Sequence, residues 1–236
     1  DWFIGAAGAY TEESVVAHDG QASGTGDNYA AGLVVKRRIG ESWLLAGSLG
    51  YSYGEMDNQR LVSNAGVAMT ASSGQKTHSY SGRLRGAYNV DMGQWYVRPA
   101  LNLDVVHVRV PGYTETGAGA LNMQFDSASD TKFGATPEVE VGARVDLGDA
   151  ILRPYAGIGV TVWNDAEWTQ SARIAGAPAG SAAITTSFEG DRVVGRGDLG
   201  LDLVHGSGME LRAQYGADVG SDFVSHTGSV RLGIRF

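Results

Sequence analysis

Residues 50–54 (Gly-Tyr-Ser-Tyr-Gly) have the Gly-x-Ser-x-Gly spacing at which serine hydrolases hold a nucleophilic serine. That nucleophile works only on a sharp, strained turn from a strand into a helix, because the turn exposes the serine hydroxyl. Here the five residues lie inside a run of alternating apolar and polar side chains, which predicts an uninterrupted strand. The spacing therefore does not predict a catalytic serine.

Two acid–histidine pairs, Asp104 with His107 and Asp202 with His205, are each separated by three residues. On a strand this spacing places the two side chains on opposite faces, so the acid cannot orient the histidine as a base. The histidines show no spacing typical of metal ligands, and the chain has no cysteine. We therefore predict no enzymatic activity, no metal site and no cofactor. The five histidines are His18, His78, His107, His205 and His226.

The composition excludes several classes of protein. The formal net charge of −8 over 236 residues leaves no basic surplus for neutralising nucleic-acid phosphates. No stretch of about 18 consecutive apolar residues is present, which excludes a transmembrane helix. The start at Asp1, without a basic and then apolar leader, is typical of a processed N-terminus.

Alternation with period two runs through most of the chain and predicts an all-β fold. The segments are longer than the strands of about 5 to 6 residues that are usual in soluble proteins. We predict ten strands, at about 2–12, 28–39, 42–55, 78–91, 94–108, 138–147, 150–164, 192–204, 209–218 and in the segment that ends at Phe236.

The connections between these strands alternate in length. Four are tight and carry the Gly, Asp or Ser residues that two- to three-residue hairpins require: 40–41, 92–93, 148–149 and 206–208. The others are predicted as long polar loops at 13–27, 56–77, 109–131 and 165–190, with a shorter one at 219–225. Short turns at one end and long loops at the other are typical of bacterial outer-membrane barrels.

Aromatic residues on the apolar faces agree with a membrane-spanning barrel. Trp43 and Tyr53 are ten residues apart, roughly 33 Å along a strand at about 3.3 Å per residue. A tilt of about 40° reduces this to the height of about 25 Å that separates two aromatic girdles. The predicted girdle residues are Trp43, Tyr51, Tyr53, Tyr80 and Trp95.

Residues 1–236 are therefore predicted to form a single transmembrane antiparallel up-and-down β-barrel, with first and last strands paired. Its polar faces would line the lumen, where interleaved opposite charges would pair across strands and stay hydrated. A selective ion path is the alternative interpretation of this lining. The predicted lumen-lining residues are Arg83, Arg85, Arg98, Asp104, Glu138, Glu140, Arg144, Arg153, Arg196, Asp198, Asp202, Glu210, Arg212, Arg231 and Arg235.

The C-terminal segment carries an apolar stripe of Val230, Leu232, Ile234 and Phe236. A terminal Phe in an alternating strand is what outer-membrane proteins generally present to the barrel-insertion machinery. The sequence thus predicts an insertion signal here, with that machinery and outer-membrane lipid as partners.

Several segments, in order along the chain, resemble the translocator barrel of the autotransporters of type V secretion. They are Arg153-Pro154-Tyr155-Ala156-Gly157, residues 112–130, and the ending Gly220-Ser221-Asp222, His226 and Leu232-Gly233-Ile234-Arg235-Phe236. The resemblance implies a Gram-negative outer-membrane protein that anchors and exports an N-terminal passenger through its lumen. The family usually has twelve strands and a helix in the lumen, and this chain aligns from the third strand. It would be either a fragment or engineered form, or a ten-stranded relative. The alternatives are a stand-alone small pore or surface-interaction barrel and, at lower weight, an omptin-like protease among the outer histidines.

Overall fold

The computed structural model describes residues 2–17, 20–64, 66–178 and 180–234. His18, Arg235 and Phe236 therefore lie outside the described residues. Most of the described residues are in strands, and a 3₁₀ turn covers Gly119–Leu121. The strands are β1 Trp2–Ala17, β2 Ala22–Ile39, β3 Trp43–Asn64, β4 Val67–Tyr88, β5 Val90–Met92, β6 Trp95–Val110, β7 Tyr113–Thr114, β8 Met123–Phe125, β9 Ala128–Ala143, β10 Val145–Asp146, β11 Ala150–Trp163, β12 Glu167–Ile174, β13 Ile184–Glu189, β14 Val193–His205, β15 Met209–Val219 and β16 Val224–Ile234.

Ten long strands form one curled antiparallel sheet in the order β1-β2-β3-β4-β6-β9-β11-β14-β15-β16. The short β5 extends the β4 side of β6, and β10 pairs with β11. Because each long strand pairs with the next one along the chain, the predicted up-and-down topology of ten strands is confirmed.

The four tight turns lie at one end of this sheet. Gly40, Gly93, Gly148 and Gly208 have φ values of 61°, 80°, 84° and 88°, in the left-handed region that favours glycine. Asp91 and Asp146 each accept a hydrogen bond from the glycine N–H two residues later. These turns join the strands at the residues that the sequence indicated.

Two of the predicted long loops are wrong, because most of their residues are strand. Pairing between β1 and β2 continues to Ala17↔Ala22, inside the predicted loop 13–27. Pairing between β3 and β4 continues to Asn64↔Val67, so almost all of 56–77 is a hairpin. Beyond the apolar band both faces of a hairpin meet water or polar groups, so the apolar alternation fades while backbone pairing continues.

The two other long connections contain secondary structure of their own. Segments 109–131 and 165–190 supply β7, β8, β12 and β13, which form a separate four-stranded sheet in the order β13-β12-β8-β7. A bridge between Ser72 and Thr116 joins this sheet to the β3–β4 hairpin. We call the four strands the outer cap, since they lie at the end opposite to the tight turns.

Direct closure of the ring was expected from the even strand number, and this expectation is wrong for the described residues. β1 and β16 are the two ends of the sheet and do not pair with each other. Nearly all residues of both strands are exposed on both faces. An even number of strands only makes the last strand antiparallel to the first. Whether the two strands meet depends on strand stagger and sheet curvature.

The convex face of the sheet is apolar and uncovered. Ile4, Leu49, Ile158 and Val230 are each at least 70% exposed, while the apolar residues that are buried are mostly alanines. In water such a surface would be a severe aggregation hazard, so its natural complement is lipid. No helix in the described part of the chain is long and apolar enough to cross a membrane.

Candidate functional site

The concave face of the sheet encloses a charged cavity of about 860 Å³ toward the end with the tight turns. Ten of the predicted lumen residues line it: Arg85, Arg98, Glu138, Glu140, Arg144, Arg153, Arg196, Asp198, Asp202 and Arg212. Arg83 and Asp104 lie on the same face, further from the tight turns, and Arg231 stands opposite Arg212 on β16. Glu210 lies two residues before Arg212 on the same face of β15.

Cross-strand ion pairs organise the wall between β6 and β9. Arg98 and Glu140 occupy directly opposite positions, and a guanidinium N–H of Arg98 donates to Oε1 of Glu140 at 2.8 Å. The hydroxyl of Tyr96 donates to the same oxygen at 2.6 Å. The Arg98 guanidinium also lies over the Tyr96 ring, 4.6 Å from its centroid. One carboxylate thus fixes an arginine and a tyrosine that both project into the lumen.

A second network spans β4, β6 and β9. Arg85 donates to Oδ1 of the buried Asn102 at 3.0 Å, and Asn102 donates to Glu138 at 2.9 Å. Arg85 also pairs directly with Glu138 at 2.5 Å. Because Asn102 is 2% exposed, its amide bridges the two charges with water excluded from it.

The wall between β14 and β15 carries two further pairs. Arg212 binds Asp202 through two hydrogen bonds of 2.6 and 2.7 Å, the two-pronged geometry in which arginine is strongest. Arg196 binds Asp218 at 2.9 Å. Paired opposite charges of this kind keep a lumen wall polar while leaving little local surplus of either sign.

Inward-facing tyrosines were missed from the sequence. Tyr96 and Tyr155 project across the concave face and lie where a Cβ at Gly142 and Gly200, respectively, would stand. The signal that would have found them is an aromatic residue at a polar-face position of one strand, directly opposite a glycine in a neighbouring strand. Examples are Tyr96↔Gly142 and Tyr155↔Gly200.

Lys36 and Arg38 also line the cavity but were not predicted to do so. The consecutive apolar residues Leu33, Val34 and Val35 hide the alternation of β2 just before them. The pairing with β3 shows which face they occupy. Lys36 stands opposite Ala46 and Arg38 opposite Leu44, and both of these β3 residues point to the concave face. Only the register therefore assigns these two cations to the lumen.

The residues predicted as girdles lie on the convex face at two levels. Trp43 packs edge-on against Tyr88 with ring centroids 5.0 Å apart, near the tight turns, where Trp95 is also exposed. At the other level, Tyr51 and Tyr80 have centroids 5.1 Å apart. Tyr53 lies beside the His78 ring at 5.2 Å.

The outer cap lies against the concave side of the outer ends of β1–β4. Between them is a largely apolar cavity of about 420 Å³, whose lining includes Met56, Met123, Phe125 and Ile184. Glu115, which is 5% exposed, accepts two hydrogen bonds from Arg60 of β3, at 3.0 and 2.6 Å. This pairing raises the pKa of Arg60, and burial raises the pKa of the Tyr113 phenol nearby.

The residues with apparent catalytic spacing are separated in the structure. Asp104 pairs with Arg83 on the concave side, whereas His107 bonds Thr131 on the convex side. Asp202 is held by Arg212, and His205 bonds Ser207 in a tight turn. Within the described ranges, no three His, Asp or Glu side chains are grouped so that they could hold a metal ion.

The structure is a curled antiparallel sheet of ten long strands, with an exposed apolar convex face and a charged concave face. These features define a transmembrane barrel of the outer-membrane class. The sequence model described as "Autotransporter beta-domain" matches residues 1–216. The chain belongs to this family, as the sequence resemblance predicted, and is an outer-membrane protein of a Gram-negative bacterium. Translocator domains of this family are transport modules and occur with a passenger domain.

The solved structures that share this fold include two autotransporter domains. The translocator domain of the autotransporter NalP from Neisseria meningitidis has a TM-score of 0.71 and 16% identity, covering 99% of this chain and 76% of that one. The beta domain of the Bordetella autotransporter BrkA has a TM-score of 0.61 and 20% identity, covering 100% of this chain and 84% of that one.

A curated relative extends the similarity to a much larger protein. Outer membrane protein A of Rickettsia rickettsii is 25% identical over 170 residues, which is 71% of this chain. The matched region is 7% of that protein, so this chain spans a small part of the relative's length.

Proposed function

We propose that this chain anchors a longer polypeptide in the outer membrane and provides the hydrated path along which an attached passenger reaches the cell surface. The observation that carries the proposal is the charged concave cavity of about 860 Å³. Four of its arginines pair with carboxylates, among them Arg98 with Glu140 and Arg212 with Asp202. A wall of paired charges holds water and offers both donors and acceptors to a passing backbone without binding it tightly.

The lining residues act in this proposal by position and charge and carry out no chemistry. Neither enzymatic activity nor a cofactor is needed, since export requires only an open, wetted lumen. Two alternatives assign the function elsewhere. A stand-alone pore would conduct ions without any passenger, and a surface-interaction barrel would act through the outer cap.

The test blocks the lumen without touching its ion pairs. Gly216 lines the cavity, so Gly216→Trp places an indole inside it. Gly228 lies on the convex face of β16, directly after Thr227, the residue that pairs with Gly216. No atom lies within 4 Å of a Cβ added at Gly228, so Gly228→Trp is the matched control. In the full-length protein, protease shaving of cells measures the exported passenger, and heat-modifiable gel mobility measures barrel folding.

We expect normal folding of both variants, with export lost in Gly216→Trp and retained in Gly228→Trp. Full export through the blocked lumen would rule out the proposed path. Planar-bilayer conductance separates the alternatives, since a stand-alone pore conducts in the parent protein and is silenced by the same tryptophan.

We further propose that the convex stripe of β16 is the signal for the insertion machinery. Val230, Leu232 and Ile234 are each more than 60% exposed, and the outer edge of β16 is unpaired in the described sheet. Such an edge suits strand addition by an assembly factor. Phe236→Ala should refold in detergent nearly as well as the parent but assemble poorly in cells. Normal assembly in cells would remove the recognition role, and failure in detergent would make the effect one of stability.

A further inference from the structure

The convex face near the outer girdle is divided by charge. Glu12, Asp27, Glu55 and Asp57 point outward from β1, β2 and β3, according to the register and the exposure pattern. β4 and β6 instead present four basic side chains on the same face. This basic patch consists of Lys76, His78, His107 and Arg109. The two halves lie side by side at similar heights on one continuous sheet.

The basic patch lies at the outer boundary of the apolar band. On β4, His78 is ten residues from Tyr88, which packs against Trp43 of the inner girdle. Ten residues are roughly 33 Å along a strand, or about 25 Å along the membrane normal at a tilt of about 40°. His78 and its partner Arg109 therefore reach the level of the headgroups in the outer leaflet.

Neighbouring hydroxyls orient both imidazoles in the patch. Nδ1 of His78 lies 3.0 Å from the Tyr51 hydroxyl, and Nδ1 of His107 lies 2.7 Å from the Thr131 hydroxyl. A hydroxyl that donates to Nδ1 selects the tautomer with hydrogen on Nε2. Each ring then offers an N–H donor away from the strand that holds it.

Within the basic patch, Arg109 is available to bind a ligand. Its side chain is exposed, and no group in the described part of the chain makes a hydrogen bond or ion pair with it. Lys76, by contrast, is held by Glu55 at 3.1 Å. A planar guanidinium with five donors is the side chain best suited to bind phosphate through two parallel hydrogen bonds.

Apolar side chains lie directly below the patch on the same face. Leu84, Leu103, Val105 and Phe133 are exposed there, and Val105 stands opposite Phe133. A ligand that places anionic oxygens beside Arg109 and hydrocarbon on these residues must be amphiphilic. The carboxylates of β1–β3 disfavour an anion on the neighbouring half, which confines it to β4 and β6.

We propose that the basic patch binds the phosphorylated headgroup of an outer-leaflet glycolipid, with its acyl chains on the apolar residues below. The phosphate accepts hydrogen bonds from Arg109 and from Nε2–H of His78 and His107. This site is on the lipid face, so it is independent of any passenger and of the lumen.

Binding of purified lipid A to the full-length protein in non-ionic detergent tests the proposal. Native mass spectrometry counts the lipid bound, and titration gives its Kd for lipid A with two phosphates, one phosphate or none. We expect the affinity to fall with each phosphate removed. Arg109→Gln should weaken binding of the two-phosphate lipid about tenfold, and His78→Gln combined with His107→Gln should weaken it further.

Arg37→Gln is the matched control, because Arg37 also points outward but lies at the opposite boundary, over the Trp2 ring at 4.8 Å. We expect this control to bind lipid A as the parent does. Equal binding of the phosphorylated and phosphate-free lipids, or equal loss in Arg37→Gln and Arg109→Gln, would overturn the proposal. Complete displacement of lipid A by millimolar inorganic phosphate would also overturn it, since the site would then take free anions.

Discussion

Tyr96 shows how closely single residues in the lumen depend on one another. Its hydroxyl donates to Glu140, its ring lies under the Arg98 guanidinium, and its outer edge covers Gly142. The glycine is needed because the phenol occupies the space that any side chain there would take. Aromatic rings can thus cross the strands of a small barrel without pushing the sheet apart.

Gly142→Ala is expected to destabilise the barrel by about 1–3 kcal/mol, the usual effect of forcing extra atoms into a packed contact. Gly197→Ala is the control, because no atom lies within 4 Å of the Cβ it would add. Urea unfolding in lipid vesicles measures both. In a Tyr96→Ala background the cost of Gly142→Ala should largely disappear, and an unchanged cost would mean that another contact is responsible.

Leu201→Arg should reduce stability in lipid by about 2–4 kcal/mol, because Leu201 faces outward at mid-strand and the charge would meet hydrocarbon. Asp202→Arg is a poor comparison, because it would also remove the carboxylate to which Arg212 donates its hydrogen bonds. Gln214→Arg is the better control, because Gln214 lines the lumen cavity. Equal losses for the two arginines would show that the face assignment is wrong.

Among the larger elements, the β3–β4 hairpin does more than connect two membrane strands. It extends well past the outer girdle, and its inward side chains meet the outer cap. The bridge of Ser72 to Thr116 and the pairing of Arg60 with Glu115 hold the two together. The hairpin therefore holds the cap against its own concave side.

Glu115→Gln should loosen the cap, because Arg60 loses its charged partner in a site where the glutamate is almost fully buried. We expect docking to weaken by about 1–3 kcal/mol, toward the lower end since Arg60 is partly exposed to water. Hydrogen exchange of residues 113–125 should accelerate. Arg173→Gln breaks an exposed pair with Asp126 and should change exchange far less. Equal protection in both variants would mean that apolar contacts alone dock the cap.

For the molecule as a whole, the orientation in the membrane follows from the asymmetry of its two ends. Tight turns form one end, while the extended hairpins and the outer cap form the other. Ser63→Cys, near the hairpin tip, should react with an impermeant maleimide added to intact cells. Gln94→Cys, in a tight turn, should react only after the outer membrane is opened. The reverse accessibility would invert the topology.

The unpaired edges of β1 and β16 are a further property of the whole sheet. A bilayer supplies no hydrogen bonds to exposed backbone, so each edge must be satisfied in the membrane. The structure leaves the two edges apart, and we expect little disulfide between Ala6→Cys and Val230→Cys in membrane-inserted protein. Ala213→Cys with Val230→Cys, which are paired neighbours, is the positive control. A high yield from the first pair would demonstrate direct closure.

Alternation, turn chemistry and girdle spacing could be predicted from the sequence because they depend on neighbouring residues. The stripe of Val230, Leu232 and Ile234, or the glycines at 40 and 93, follow from period-two geometry and from the backbone of a tight turn. The same period assigned Arg98, Glu140 and Asp202 to the polar face before any pairing was known.

The tertiary structure decided which residues meet across strands. Register and strand stagger determine three contacts described above. They are the ion pair of Arg98 with Glu140, the packing of Tyr96 on Gly142, and the pairing of Glu115 with Arg60 that holds the cap. These quantities join segments far apart in the chain, and a slip of two residues would keep every side chain on its face while changing every partner. Closure likewise depends on accumulated curvature over ten strands, to which no local pattern corresponds.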